Sequence, residues 1–156
     1  MTKRNSVIAC AITTLTVTGL FSGPASAAPI GANTAATASD RFSRSFGSPH
    51  VNDGGNAYWL ASDGNTGEYV TVNLGAKYSI DENGITLTNT INGNNNDSGT
   101  ENYTLLLSDD GVNFSQVASG TLAQNTTPVT PTVASQTAQF VRFRADSFYD
   151  KRAGLQ

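Results

Sequence analysis

Short runs in which apolar and polar residues alternate strictly, each bounded by turn-forming residues, are the feature that most limits how this chain can fold. Val70, Val72 and Leu74 fall on one face of 68–74; Ile85, Leu87 and Ile91 alternate with Thr86, Thr88 and Thr90. Tyr103, Leu105 and Leu107 repeat the pattern, and Val141, Phe143 and Ala145 alternate with Phe140, Arg142 and Arg144. A period of two puts each apolar set on one side of an extended strand. An apolar 3.6-residue period never persists for three turns, so helix is expected to be scarce. Asp110-Gly111 follows the third run, where glycine at positive φ allows a tight reversal into 113–117, the clearest hairpin in the chain. Arg142 and Arg144 would form a solvated outer face. Residues 123–135 carry Pro128 and Pro131 among threonines. Proline donates no ladder hydrogen bond, so this segment is expected to be a long surface loop. The implied fold class is all-β, an antiparallel sandwich or barrel.

The N-terminus has a different character. Lys3 and Arg4 precede an apolar run from Val7 to Phe21, which ends in Ser22-Gly23-Pro24-Ala25-Ser26-Ala27. This is the pattern of a secretory signal peptide, with cleavage expected after Ala27 and export to the extracellular side. A second hydrophobic span is missing, so membrane insertion is not expected; Cys10 sits too early in the run for a lipoprotein box. The remaining 28–156 is one domain in length. It holds seven basic and twelve acidic side chains, a net charge near −5, which argues against nucleic acid as a partner. Cys10, the sole cysteine, leaves with the leader, so disulfides, thiol nucleophiles and thiolate metal sites are excluded from the mature domain.

Several segments in order carry a resemblance: Asp53-Gly54 with Tyr58-Trp59, Tyr69-Val70-Thr71-Val72-Asn73-Leu74-Gly75, Tyr78-Ser79-Ile80, Ser108-Asp109-Asp110-Gly111-Val112-Asn113-Phe114, and Phe140-Val141-Arg142-Phe143. Together they resemble the discoidin, or coagulation factor 5/8 type C, family, which includes the family 32 carbohydrate-binding modules. The resemblance spans 33–156. It implies a galactose-binding-like jelly-roll sandwich of about eight strands, used for binding and not for catalysis, with ligands held by loops at one end and commonly a structural calcium ion. In the family the chain continues past a Gly-Leu pair into a final strand with an acidic residue. Here Gly154-Leu155-Gln156 is the end of the sequence, so the last strand is expected to lie beyond Gln156, leaving the domain C-terminally incomplete.

The resemblance points to Asp53 as a calcium ligand, helped by carbonyls near Asn52, Gly55 or Asn56, since a hard cation takes six to eight oxygens. An Asx-type turn in which the Asp53 carboxylate accepts backbone N–H groups is the open alternative. Candidate ligand-binding residues are His50, the sole histidine; Trp59, as sugar platform or as core plug; and Phe148, Tyr149 and Arg152, where a ring stacks on a pyranose and charges meet its hydroxyls. Residues 41–46 are a further candidate, read as an early strand or turn with Phe42 and Phe46 turned inward. The 92–101 loop lacks the charges and spacing of a calcium loop. A Gly-x-Ser-x-Gly turn and a phosphate-cradling glycine loop are both missing, and one histidine without a partner motif is poor support for hydrolysis. The expected partner is a glycan or cell-surface polymer, with an extracellular protein, in an adhesion role, as the alternative.

Overall fold

The computed structural model describes residues 31–54, 57–62, 65–82, 84–90, 98–150 and 152–156, and the backbone of 16–17. The strands are β1 (Thr16–Val17), β2 (Ala36–Ala38), β3 (Trp59–Leu60), β4 (Tyr69–Ile80), β5 (Ile85–Thr86), β6 (Asn102–Ser108), β7 (Ser115–Thr121), β8 (Gln136–Ala145) and β9 (Gly154–Leu155), with 3-10 turns at Arg44–Phe46 and Ser48–Val51.

Five strands form one antiparallel sheet in the order β2-β4-β8-β6-β7. The expected faces hold. Tyr103, Leu105 and Leu107 of β6 and Val141, Phe143 and Ala145 of β8 are buried, and the Tyr103 and Phe143 rings stack with centroids 5.7 Å apart. The β6–β7 hairpin turns at Gly111 with φ 75°, and the Asp110 carboxylate accepts the Val112 and Asn113 N–H groups.

β4 runs further than expected. Leu74-Gly75 does not end it: the strand bulges between Asn73 and Tyr78, whose partners on β8 are Phe140 and Ala138, and then continues to Ile80. Gly75 at φ 83° absorbs the irregularity.

The opposing layer is made of short pieces. β3 pairs with β9, Ala61 N–H donates to the Ala153 carbonyl, and Gln156 N–H donates to the Thr88 carbonyl. Leu87 and Val129 exchange both backbone bonds. The 85–91 run is therefore a strand only over Ile85–Thr86, with Ile91 outside the described residues. The 123–135 segment is not wholly a surface loop, since Val133 is buried and Val129 packs on the core. Gly154–Leu155 already lies in this layer, ahead of the strand looked for beyond Gln156. Trp59, Ala61, Ile85, Leu87, Leu122 and Leu155 fill the space between the layers. β1, inside the expected leader, pairs with β5.

Candidate functional site

β2 delivers the chain to one end of the sandwich at Ser39 and Asp40, and three tethers fix the segment beyond it. Phe42 N–H donates to the Leu60 carbonyl at 2.8 Å, Ser62 N–H donates to Asp40 Oδ2 at 2.9 Å, and Trp59 Nε1–H donates to the Asp40 carbonyl at 2.8 Å. Because 59–61 is itself laced to 153–155, this rim is fastened to the core through two layers of backbone. The Ser62 hydroxyl, with the backbone N–H groups of Ser62 and Arg41, holds the Asp40 carboxyl below its ordinary range.

On this support stands a run of stacked groups. The Arg152 guanidinium lies 4.0 Å from the Phe42 ring centroid, Phe42 is 5.9 Å from Phe46, and Phe46 is 5.2 Å from Tyr58. Arg152 is only 9% exposed, whereas Phe42 is 48% exposed. An open ring backed by a buried cation, with the Asp40 carboxylate and Ser62 hydroxyl on the same rim, can stack on an apolar ring face while hydrogen-bonding its substituents.

The expected residues are distributed differently. Trp59 is fully buried, so it is the plug and not a platform: its indole spends its N–H on Asp40 and its faces on the core. Phe148 packs against the core and its backbone bridges Thr100. Tyr149 donates its hydroxyl to the Leu122 carbonyl at 2.8 Å and its N–H to the Gly99 carbonyl. Both rings therefore anchor their loop. Buried Asn89 stands behind that anchor, donating to the Thr100 and Ala123 carbonyls at 2.8 Å and accepting from Thr100 N–H at 2.9 Å. Arg152 does reach the rim, beneath Phe42. The expectation that Phe42 turns inward is corrected: it is 48% exposed, in a bend ahead of the 3-10 turn at Arg44–Phe46, and the period-two rule does not hold off an extended strand. Asp40 and Ser62 escaped sequence reasoning, because each acts through a contact between distant segments.

His50 and Asp53 come together, Nδ1 to Oδ2 at 2.8 Å, in the turn leading into Asn52 and away from it. Asn52 ties that turn to the chain before β2, through its Nδ2 to the Gly31 carbonyl at 2.5 Å and the Thr34 carbonyl at 3.2 Å. Ser48, at the start of the 3-10 turn that carries His50, donates its hydroxyl to the Ala36 carbonyl at 2.9 Å. Asn52 Oδ1 is buried and receives no hydrogen bond among the described residues. A buried carbonyl oxygen without a donor, one residue from a carboxylate, fits the oxygen chemistry of a hard cation. Asn56 and Gly55 lie outside the described residues. Among the described residues no three His, Cys, Asp or Glu side chains converge.

The F5/8 type C domain profile matches residues 35–155. Among solved structures the chain is similar to chitosan-binding module 1 of a chitosanase/glucanase from Paenibacillus sp. IK-5, at 22% identity and a TM-score of 0.70, over 81% of this chain and 92% of that one. It is similar to module 2 of the same enzyme, solved with chitotriose, at 22% identity and TM-score 0.67, covering 81% and 94%. It also resembles the family 32 module of C. perfringens NanJ, solved with galactose, at 19% identity and TM-score 0.67, covering 81% and 91%. No curated protein matches. At these identities the likeness establishes the antiparallel β-sandwich.

Proposed function

The chain belongs to the F5/8 type C domain family, and from that premise we propose that it is a secreted, non-catalytic module that binds a carbohydrate, or a polymer on a cell surface, through the rim around Phe42. The observation that carries this is a phenyl ring 48% exposed although a buried guanidinium stacks behind it at 4.0 Å. A pyranose laid on that ring places hydroxyls within reach of Asp40 and Ser62. Structurally similar modules were solved with chitotriose and galactose, which supports sugar as the ligand class. In this reading the protein contributes a rigid surface and no reaction step. Calcium, if bound, would be held by Asp53, Asn52 Oδ1 and Asn56 and would brace the chain around Asn52 and Asp53.

Glycan-array screening of the mature domain tests the proposal. Phe42→Ala should weaken binding of the best glycan about tenfold, equivalent to about 1.4 kcal/mol, with the fold intact by circular dichroism. A folded domain that binds nothing across a broad array, or that binds equally well without the Phe42 ring, overturns it.

A further inference from the structure

On the open face of the five-stranded sheet, Arg142 is held as few surface cations are. Its guanidinium carbon lies 4.0 Å from the Tyr69 ring centroid and 3.7 Å from that of Phe114, one ring from the start of β4 and the other from the residue before β7. Its Nε donates to Thr71 Oγ1 at 2.8 Å. Lys77 and Arg144 have carboxylate partners in Asp109 and Asp146, but Arg142 has none among the described residues, and nothing there accepts from its Nη groups. Burial pushes its pKa down, yet a guanidinium remains charged at neutral pH.

A partly desolvated cation without a counter-ion is costly. Two aromatic faces offset part of that cost, but they leave the outer N–H edge unused. They also fix the plane of the fork. A carboxylate arriving at that edge would meet two parallel donors whose orientation is already set. Across β6, Leu106 lies opposite Arg142 and Gln116 opposite Leu106. From Gln116 a recess of about 360 Å³ runs along Thr104, Ser119, Thr121 and Asn102 to Asp146. Amide and hydroxyl groups dominate its lining, which also includes Tyr103 and Gly120, and the Asp146 carboxylate is already committed to Arg144 and Thr104. Such a surface suits sugar hydroxyls and offers no apolar pocket for a peptide side chain.

We propose that Arg142 anchors a second ligand site, on the sheet face and distinct from the Phe42 rim, which takes the carboxylate of an acidic sugar residue while the recess beyond Leu106 meets hydroxyls further along the same glycan. The site does not depend on the rim being a glycan site.

The test is an NMR titration of the labelled mature domain with tetragalacturonate and, separately, with its methyl ester. The acid should shift the Arg142 Nε–H signal and the Phe114 and Tyr69 ring signals, and weaken severalfold at high salt; the ester should shift none of them. Arg142→Lys, which keeps the charge and loses the fork, should lower affinity about tenfold. Arg142→Met, which keeps a stem between the rings, should abolish binding, and Phe42→Ala should leave it unchanged. Equal shifts with the ester, no shift at Arg142 in the unmutated domain, or binding retained in folded Arg142→Met overturns the site. A tetraglutamate peptide binding as well as the sugar overturns the sugar assignment.

Discussion

Trp59→Phe separates the two roles an aromatic side chain plays in this molecule. The indole is fully buried and its N–H is spent on the Asp40 carbonyl at 2.8 Å. Phenylalanine keeps a ring but leaves that carbonyl without its donor, which costs about 1–3 kcal/mol. It also leaves roughly 40 Å³ unfilled, worth about 1 kcal/mol at roughly 24 cal/mol per Å³ of cavity. The sum is about 2–4 kcal/mol, or a fall in Tm of about 8–16 °C for a domain of this size. Chemical denaturation followed by far-ultraviolet circular dichroism measures it, because the substitution removes the sole tryptophan and with it the fluorescence signal. Phe42→Ala is the companion, expected to cost only about 1–2 kcal/mol because its ring is half in solvent and half packed on Arg152 and Phe46. Trp59→Phe as stable as the parent, or Phe42→Ala the more damaging of the two, would refute the assignment of plug and platform.

Gly154→Ala should cost about 1–3 kcal/mol, since its Cβ would come 2.5 Å from Leu60 Cδ2 and Thr90 Cγ2 and 3.0 Å from the Trp59 carbonyl; an unchanged thermal midpoint would mean that β9 is not packed as described. The Asp40 carboxyl titrates below its unfolded value of about 3.9, so its stabilisation is full above that value and lost as pH falls through the folded one. Asp110, depressed mainly by the Asn113 and Val112 N–H groups, acts with the same sign. Asp40→Asn should therefore flatten part of the acid limb of a Tm-against-pH curve, and an identical limb would show that Asp40 is uncoupled from folding. If calcium sits at Asp53 and Asn52, a hundredfold excess over Kd adds about 2.7 kcal/mol. A chelator should then lower Tm in the parent and not in Asp53→Asn; no response in the parent leaves the His50–Asp53 turn metal-free.

Alternation was legible wherever a strand lies flat on a single core, as in β6 and β8, because there each side chain's face depends only on its parity. It failed where the backbone leaves that geometry. Leu74–Lys77 bulges, so β4 looked shorter than it is. Residues 41–46 look alternating, but they are not extended: Phe42 lies in a bend ahead of the 3-10 turn at Arg44–Phe46 and is exposed. Pro128 and Pro131 signalled a loop correctly for the ladder, yet could not reveal that Val129 still has an N–H to exchange with Leu87. The rim was less legible than the fold. The tryptophan's alternative role as a plug was visible in its size and isolation, whereas Arg152 beneath Phe42 is a meeting of residues from opposite ends of the domain, and local spacing carries no trace of that.

Exposure of one large apolar side chain needs no explanation by itself. Phe42 differs because its surroundings forbid the alternative. Its backbone N–H is committed to Leu60, one face is taken by Arg152, and Phe46 with Tyr58 behind it closes one side. Burying the ring would recover about 1–2 kcal/mol, but only by displacing a guanidinium that is itself 9% exposed and would then need new partners. The open ring is thus enforced by the fold, and a ligand that stacks on it meets a surface already ordered. Affinity on such a rim is set by the contacts themselves, with little lost to immobilising the protein, so removing the ring should change the dissociation rate more than the association rate.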